Sequence, residues 1–310
     1  MNRREFIGGL IAVSALPSVA DDLTVFPERG PQQRLSRVYR HIKIGLEKPF
    51  SVLHLSDTHL TAAYPHEEIF KTGKAAQRTK LFGGQQETAL RYSLEWAKAH
   101  NDFVVHTGDL IDWQSEANFD LVKKYYGDVS FGSVGNHEFY TYLPDEKHTW
   151  QESFKERSWS ILKEKYPVDA RFAAQTVNGV TFVTLDDVFA TVQPDQVEKF
   201  MAEAKKGLPI ILCMHTPIFT EGIVLAKIKS GATAQGFWQK REMDSVGDCK
   251  RQLEDKTTAE FIRYLKGESH LKGILCGHNH LVAQDRFSPT AMEYVCGCNY
   301  MFGVQDVTFT

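Results

Sequence analysis

GILCGHNHLV, residues 273–282, is an apolar run that stops at Gly277 and delivers two histidines, His278 and His280, one residue apart. The run has the length of a buried strand, so the pair sits where a strand hands over to a loop. Histidines at this spacing either pack on one face or serve as ligands, and the pair alone does not decide between the two. The decision rests on whether other strands of the chain end in the same way.

They do. SVLHLSDTHL (51–60) closes on Asp57 and His59, and FVVHTGDLID (103–112) on Asp109 and Asp112. FGSVGNHEF (131–139) brings Asn136, His137 and Glu138, and IILCMHTP (210–217) brings His215. Ligand sites in α/β proteins gather at strand ends, and packing does not explain five strands that each end in Asp, Asn or His. Between them lie helical stretches at 85–100, 196–207 and 257–267, spaced by apolar residues such as Leu90, Leu94 and Ala97. Asn178-Gly179 between alternating apolar residues predicts a hairpin over 171–187. Residues 61–85 read as a loop, 221–256 as a polar, glycine-dotted insertion, and the tail from Met292 to Thr310 as a β-meander. Strands alternating with helices imply a layered α/β protein with sheets of mixed direction.

The donor types narrow the chemistry. Asp, Asn and His offer oxygen and imidazole ligands suited to Mn, Fe, Zn, Co or Ni rather than Ca. No cysteine joins the set, which argues against a structural thiolate zinc site. Two divalent ions would bring four positive charges, and Asp57 and Asp109 remove two. The surplus suits a phosphate anion.

With 310 residues, 42% of them hydrophobic, the chain has apolar material for one large domain. A net charge of −3 without a basic stripe excludes a nucleic-acid partner recruited by bulk charge and counts against a nuclease. The N-terminal stretch NRREFIGGLIAVSALPSVADD (2–22) resembles a twin-arginine export signal. Arg3-Arg4 is followed by an apolar segment too short to span a bilayer, then by small residues before Asp21. The expectation is a signal over 1–20, recognised by the twin-arginine translocase, ahead of a single domain over 21–310. The mature protein would be periplasmic or extracellular, without a transmembrane segment. Of five cysteines, Cys213 and Cys276 read as buried thiols, and Cys296 and Cys298 as strand residues on one face.

In this order and spacing the five strand ends resemble the calcineurin-like metallophosphoesterase superfamily, over roughly residues 50–285. The resemblance implies an α/β (α+β sandwich) fold of two mixed β-sheets packed face to face and flanked by helices, in four layers. It also implies a two-metal centre: Asp57, His59 and His280 on one ion, Asn136, His215 and His278 on the other, and Asp109 between them. A metal-held hydroxide would then hydrolyse a phosphomonoester or phosphodiester in the cell envelope. His137 would face the substrate as a catalytic residue, and Asp112 would fix its tautomer; Asp112 otherwise reads as a solvated loop carboxylate. Glu138 reads as supporting or structural.

Trp113 stands where protein phosphatases of this superfamily carry an arginine, and Asp112 where purple acid phosphatases carry a tyrosine. The remaining group is bacterial phosphoesterases and phosphodiesterases acting on nucleotides, lipids or sugar phosphates. Lys71, Lys74, Arg78 and Lys80 either bind phosphate or form a solvated face. Trp113, Phe139, Tyr140, Tyr142 and Trp238 either line a pocket or pack a loop. His54 and His106 read as core histidines, and His41, His66, His100, His148 and His270 as surface or packing residues. The alternatives are a catalytically inactive binding scaffold of the same fold and a metal-dependent nuclease. The scaffold reading predicts missing ligands, and none is missing.

Overall fold

The computed structural model describes residues 35–126, 131–147, 152–231 and 255–310. The expected signal over 1–20, residues 232–254 of the expected insertion, His148, Trp238 and Cys249 lie outside the described residues.

Eleven strands are described: β1 Ser36–Ile42, β2 Phe50–Leu55, β3 Phe103–Thr107, β4 Phe131–Ser133, β5 Phe172–Val177, β6 Val180–Leu185, β7 Ile210–Cys213, β8 Leu271–Cys276, β9 Ala283–Arg286, β10 Met292–Val295 and β11 Gly303–Phe309. The α-helices are α1 Glu68–Lys71, α2 Lys74–Leu81, α3 Gln86–His100, α4 Glu116–Tyr125, α5 Glu152–Lys165, α6 Pro194–Ala204, α7 Glu221–Lys229 and α8 Lys256–Gly267. One sheet runs in the order β1-β11-β2-β3-β4 and the other β5-β6-β7-β8-β10-β9. Both are mixed. β2, β3 and β4 are parallel, as are β6, β7, β8 and β10, while β11 on β2, β5 on β6 and β9 on β10 are antiparallel.

Alternation along each strand builds the layers. Val52, Phe103, Val105 and Phe309 of the first sheet meet Phe182, Ile211, Cys213 and Leu275 of the second in the central core. There the Phe182 ring lies 5.4 Å from Phe103 and 5.7 Å from Phe309. The intervening residues Leu53, Leu55 and Val104 turn outward onto Leu90, Leu94 and Ala97 of α3. Val183, Leu212 and Ile274 turn outward onto Phe200 of α6 and Phe261 and Leu265 of α8. The result is helix, sheet, sheet, helix: the four-layer α/β sandwich the sequence implied.

Local chemistry explains several boundaries. Asn178 and Gly179 both have positive φ, 49° and 81°, as a two-residue hairpin turn requires. Ser115 and Asp255 cap α4 and α8 through their side chains. Three expectations need correction. The tail is no meander, because β10 stays in the second sheet while β11 crosses to the first, between β1 and β2. Residues 61–85 are not merely loop: they hold α1 and α2, separated by Gly73 in the left-handed region at φ 73°. α2 buries only Ala75 fully, so it shows no apolar periodicity. The expected insertion opens with α7, which packs Ile223 and Val224 into the outer core of the second sheet. Among the described residues no helix is long and apolar enough to cross a membrane.

Candidate metal centre

All the candidate residues follow the C-terminal ends of parallel strands, β2, β3 and β4 in one sheet and β7 and β8 in the other. The two sheets therefore present their loops to one shared edge. Asp57, His59, Asp109 and His215 are buried, and His280 alone among the candidate ligands is well exposed. Five of these residues adopt left-handed backbone: Asp57 (φ 53°), His59 (50°), Asp109 (54°), His278 (63°) and His280 (52°). Such conformations cost about 1–3 kcal/mol each and persist where the surroundings fix them. Here the loops hold one another, with Asp57 N donating to Gly108 O at 3.0 Å and His59 N to Asp109 O at 2.9 Å.

Buried carboxylates complete the clamp. Glu138 accepts from the backbone N–H groups of Asp109 (3.0 Å), Leu110 (2.7 Å), Ile111 (3.2 Å) and Gly135 (2.7 Å) and from the Tyr166 hydroxyl. Asp187 accepts from His215 N (2.9 Å) and Thr216 N (2.7 Å). Asp57 accepts from His278 N, which ties β2 to β8. Glu138 is thus structural. Asp187 escaped the sequence reading although it ends a sixth strand, β6, in the same manner.

Donor atoms converge in three groups, two of which share Asp109: Asp57, His59, Asp109 and His280, and Asp109, His215 and His278; the third is His59, Asp112 and His137. His215 Nδ1 lies 2.8 Å from Thr107 O. A carbonyl only accepts, so Nδ1 carries the proton and neutral Nε2 presents a lone pair. That lone pair faces Asp109 Oδ2 (3.2 Å), Asn136 Oδ1 (3.3 Å) and His278 Nδ1 (3.1 Å). Asn136 Nδ2 donates to the Tyr140 hydroxyl, which turns Oδ1 towards the group. His59 repeats the pattern. Its Nδ1 donates to Asp112 Oδ1 at 2.9 Å, leaving Nε2 towards His280 Nε2 (3.1 Å) and Asp109 Oδ2 (3.6 Å). His280 Nε2 is 3.2 Å from Asp57 Oδ1.

Acceptors aimed at one another repel unless a cation stands among them. Neighbouring ligands on one ion, at bonds of about 2.1 Å, lie about 3 Å apart, so the observed separations fit. The electrostatics agree. Burial opposes a charge on His215, yet Asp109 lifts its pKa to about 10, so without a cation the ring takes up a second proton at Nε2 and donates it to Asp109. Burial alone would raise Asp57, but His280 holds its carboxyl below the usual range. The residues could hold two cations, with Asp109 common to both groups.

Asp112 is fully buried, which rules out the solvated-carboxylate alternative. Besides His59 it meets His137 Nδ1 at 2.8 Å, and Arg78 reaches it through Nε (2.6 Å) and Nη2 (2.7 Å). Burial pulls the His137 pKa down, but Asp109 and Asp112 together push it up to about 9. Tyr142 adds its hydroxyl at 3.1 Å from His137 Nδ1 and lies 4.5 Å beneath the Arg78 guanidinium. Phe82 stacks on His59 at 4.3 Å, and the Tyr300 hydroxyl meets His280 Nδ1 at 3.2 Å. Lys227 of α7 donates to the side-chain oxygen of Asn279, between His278 and His280. Burial lowers its ammonium to about 8, with Asp57 pulling the other way.

The remaining candidates fall elsewhere. Trp113 packs on Ile69 and Ala75, and Phe139 sits in the outer core of the first sheet. Lys71 pairs with Glu68 at the surface, and His66 with Glu116. His54 and His106 are core histidines bonded to Thr107 and Thr58, and burial lowers both to about 3. Cys213, Cys276, Cys296 and Cys298 are buried free thiols, the last two in the loop after β10.

Comparison with known proteins adds to this geometry. The sequence model of the calcineurin-like phosphoesterases matches residues 50–282. No curated protein sequence matches the chain significantly. Among solved structures, a dimetal phosphatase of Danio rerio matches with 12% identity and a TM-score of 0.45, over 81% of this chain and 88% of that one. PhoD matches with 13% identity and a TM-score of 0.46, over 83% and 57%. A 5'-nucleotidase of Candida albicans matches with 13% identity and a TM-score of 0.38, over 85% and 47%. The chain thus spans about half the length of that nucleotidase.

Proposed function

The chain belongs to the calcineurin-like phosphoesterase family, and from that premise we propose that it hydrolyses a phosphoester at a centre of two divalent ions. The observation that carries the reading is the convergence of imidazole nitrogens of His59, His215, His278 and His280 with oxygens of Asp57, Asp109 and Asn136 at one edge shared by the two sheets. Asp57, His59 and His280 would hold one ion and Asn136, His215 and His278 the other, with Asp109 common to both. When bound, the ions supply Lewis acidity, activating water and drawing charge from the phosphoryl oxygens.

The chain's own residues do the rest. Asp112 commits Nδ1 of His137, which leaves Nε2 for the substrate. His137, its Nδ1 held by Asp112, would donate from Nε2 to the departing oxygen. Arg78 fixes Asp112 from behind, and Glu138 and Asp187 keep the ligand loops in place. Phe82 and Tyr142 shield the His59 and His137 rings. The reading extends to export, on the strength of the paired arginines Arg3 and Arg4; a reporter fused after residue 22 and lost from the envelope in the double Lys variant would support it.

Elemental analysis of the purified protein tests the centre, paired with hydrolysis of p-nitrophenyl phosphate and bis(p-nitrophenyl) phosphate. The expected result is about two metal ions per chain, with activity lost in Asp109→Asn. Neither bound metal nor activity after Mn, Fe, Zn, Co or Ni is supplied would overturn it.

A further inference from the structure

α7 is clamped beside the centre by features of its own. Its N-terminal turn donates Gly222 N to Asp285 Oδ2 of β9 at 2.7 Å, and a Cβ at Gly222 would meet that carboxylate at 2.6 Å. One turn on, Ile223 and Val224 are buried in the outer core of the second sheet. Positions three and four residues later share that face, and the face continues with Lys227. A lysine thus stands where the packing pattern calls for an apolar side chain, only 8% exposed. Lysine is seldom buried to that extent.

The ammonium is delivered to Asn279 Oδ1. Asn279 is itself 8% exposed and lies between His278 and His280. Its other side-chain atom, Nδ2, is buried and has no hydrogen-bond partner among the described residues. A buried N–H without an acceptor costs about 1–3 kcal/mol unless something fills the place. A cation and an unsatisfied donor therefore adjoin the loop that carries two of the proposed ligands.

We propose that Lys227 and Asn279 form a subsite for a terminal phosphoryl oxygen, which makes this centre selective for phosphomonoesters over phosphodiesters. The inference rests on the two-metal hydrolase reading and deepens it. A monoester presents three terminal oxygens and nearly two negative charges at neutral pH. A diester presents two such oxygens and one charge. A third cation and an N–H donor beyond the two ions match the extra oxygen and the extra charge, through a charge-assisted hydrogen bond. Lys227 is a specificity-determining residue in this account.

The test compares wild type with Lys227→Met and Asn279→Asp, all metal-loaded and checked for two ions per chain. The methionine keeps the apolar stem without the charge, and the aspartate pairs the ammonium with a carboxylate. Kinetics on p-nitrophenyl phosphate and bis(p-nitrophenyl) phosphate give the monoester-to-diester ratio of kcat/KM. Both variants should lower it by about tenfold or more, the scale of one charge-assisted contact. Titration calorimetry with orthophosphate and dimethyl phosphate reads the same subsite without turnover, and orthophosphate should lose about tenfold in relative affinity. An unchanged ratio in whichever variant folds and keeps its metals, or a wild type that prefers the diester, overturns the subsite. A metal-loaded wild type that cleaves neither ester instead overturns the hydrolase reading, and orthophosphate binding still reports on Lys227 and Asn279.

Discussion

A single carboxylate, Asp112, serves Arg78, His59 and His137 at once, so one buried charge orients a proposed ligand and the proposed proton donor together. Asp112→Asn keeps the shape and removes the charge, leaving Arg78 without its counter-ion and both imidazoles without a full acceptor. Loss of such a partner behind a ligand typically costs about 10–100-fold in metal affinity or activity. The expected outcome is therefore a fall of roughly that size in each, measured by chelator competition and by kcat/KM at fixed free metal. A variant within about threefold of wild type in both would contradict the shared role. Sequence made the ligand types visible because metal chemistry admits few of them and strand ends display them in order. Arg78 was half visible, as one cation in a run, because nothing local says that α2 turns it onto a residue 34 positions away. Glu138 was legible as a supporting residue, but Asp187 was opaque: it accepts from backbone N–H groups, which every residue has. Only the placing of Asp187 at a strand end offered a signal.

At the level of elements, the loops at the shared edge work by close approach. A Cβ on Gly135 would strike the Asp109 carboxylate and approach Asp109 N at 2.6 Å and His215 Cε1 at 2.8 Å. One on Gly277 would strike Ser56 Oγ and the Asp57 carboxylate. Neither glycine has positive φ, so space alone forces the choice. Gly135→Ala should displace the Asp109 loop, destabilise the metal-free protein by about 1–3 kcal/mol, and lower the bound metal. Gly45→Ala is the comparison: its φ is 80° but nothing lies within 4 Å, so it should cost stability and leave metal content alone. Urea melts and metal stoichiometry of the two variants read the difference. Equal metal content in both would mean that the Asp109 loop tolerates the shift. The same contrast between local and distant causes explains what could be read of the fold. The 172–185 hairpin and α3 were legible because turn chemistry and apolar spacing are local. The crossing of β11 was not, because the choice of β1 and β2 is made by partners more than 240 residues away.

For the whole molecule, the decisive fact is that the donors come from both sheets: Asp57, His59, Asp109 and Asn136 follow strands of one, and His215, His278 and His280 strands of the other. The two sheets already share an apolar core around Phe182. Ions at their common edge would fasten the same two layers a second time, because each of the two groups that share Asp109 draws on both sheets. Unfolding would have to release them, so binding adds to stability by mass action. The gain is about 2.7 kcal/mol per site when free metal is 100 times the dissociation constant. For a protein of this size 1 kcal/mol moves the melting temperature by about 1.5 °C. Removing metal with EDTA should therefore lower Tm by roughly 4 °C for one site and about 8 °C for two, with recovery on adding back the ion. The dependence separates local from global effects. If the ions bridge the sheets, His215→Ala and His59→Ala, which remove ligands of different ions, should each abolish roughly half of the EDTA-sensitive shift in differential scanning calorimetry. A shift that survives the combined loss of His215, His278 and His280 would mean that metal is held by the first sheet alone, and the layers would then be joined only by their core.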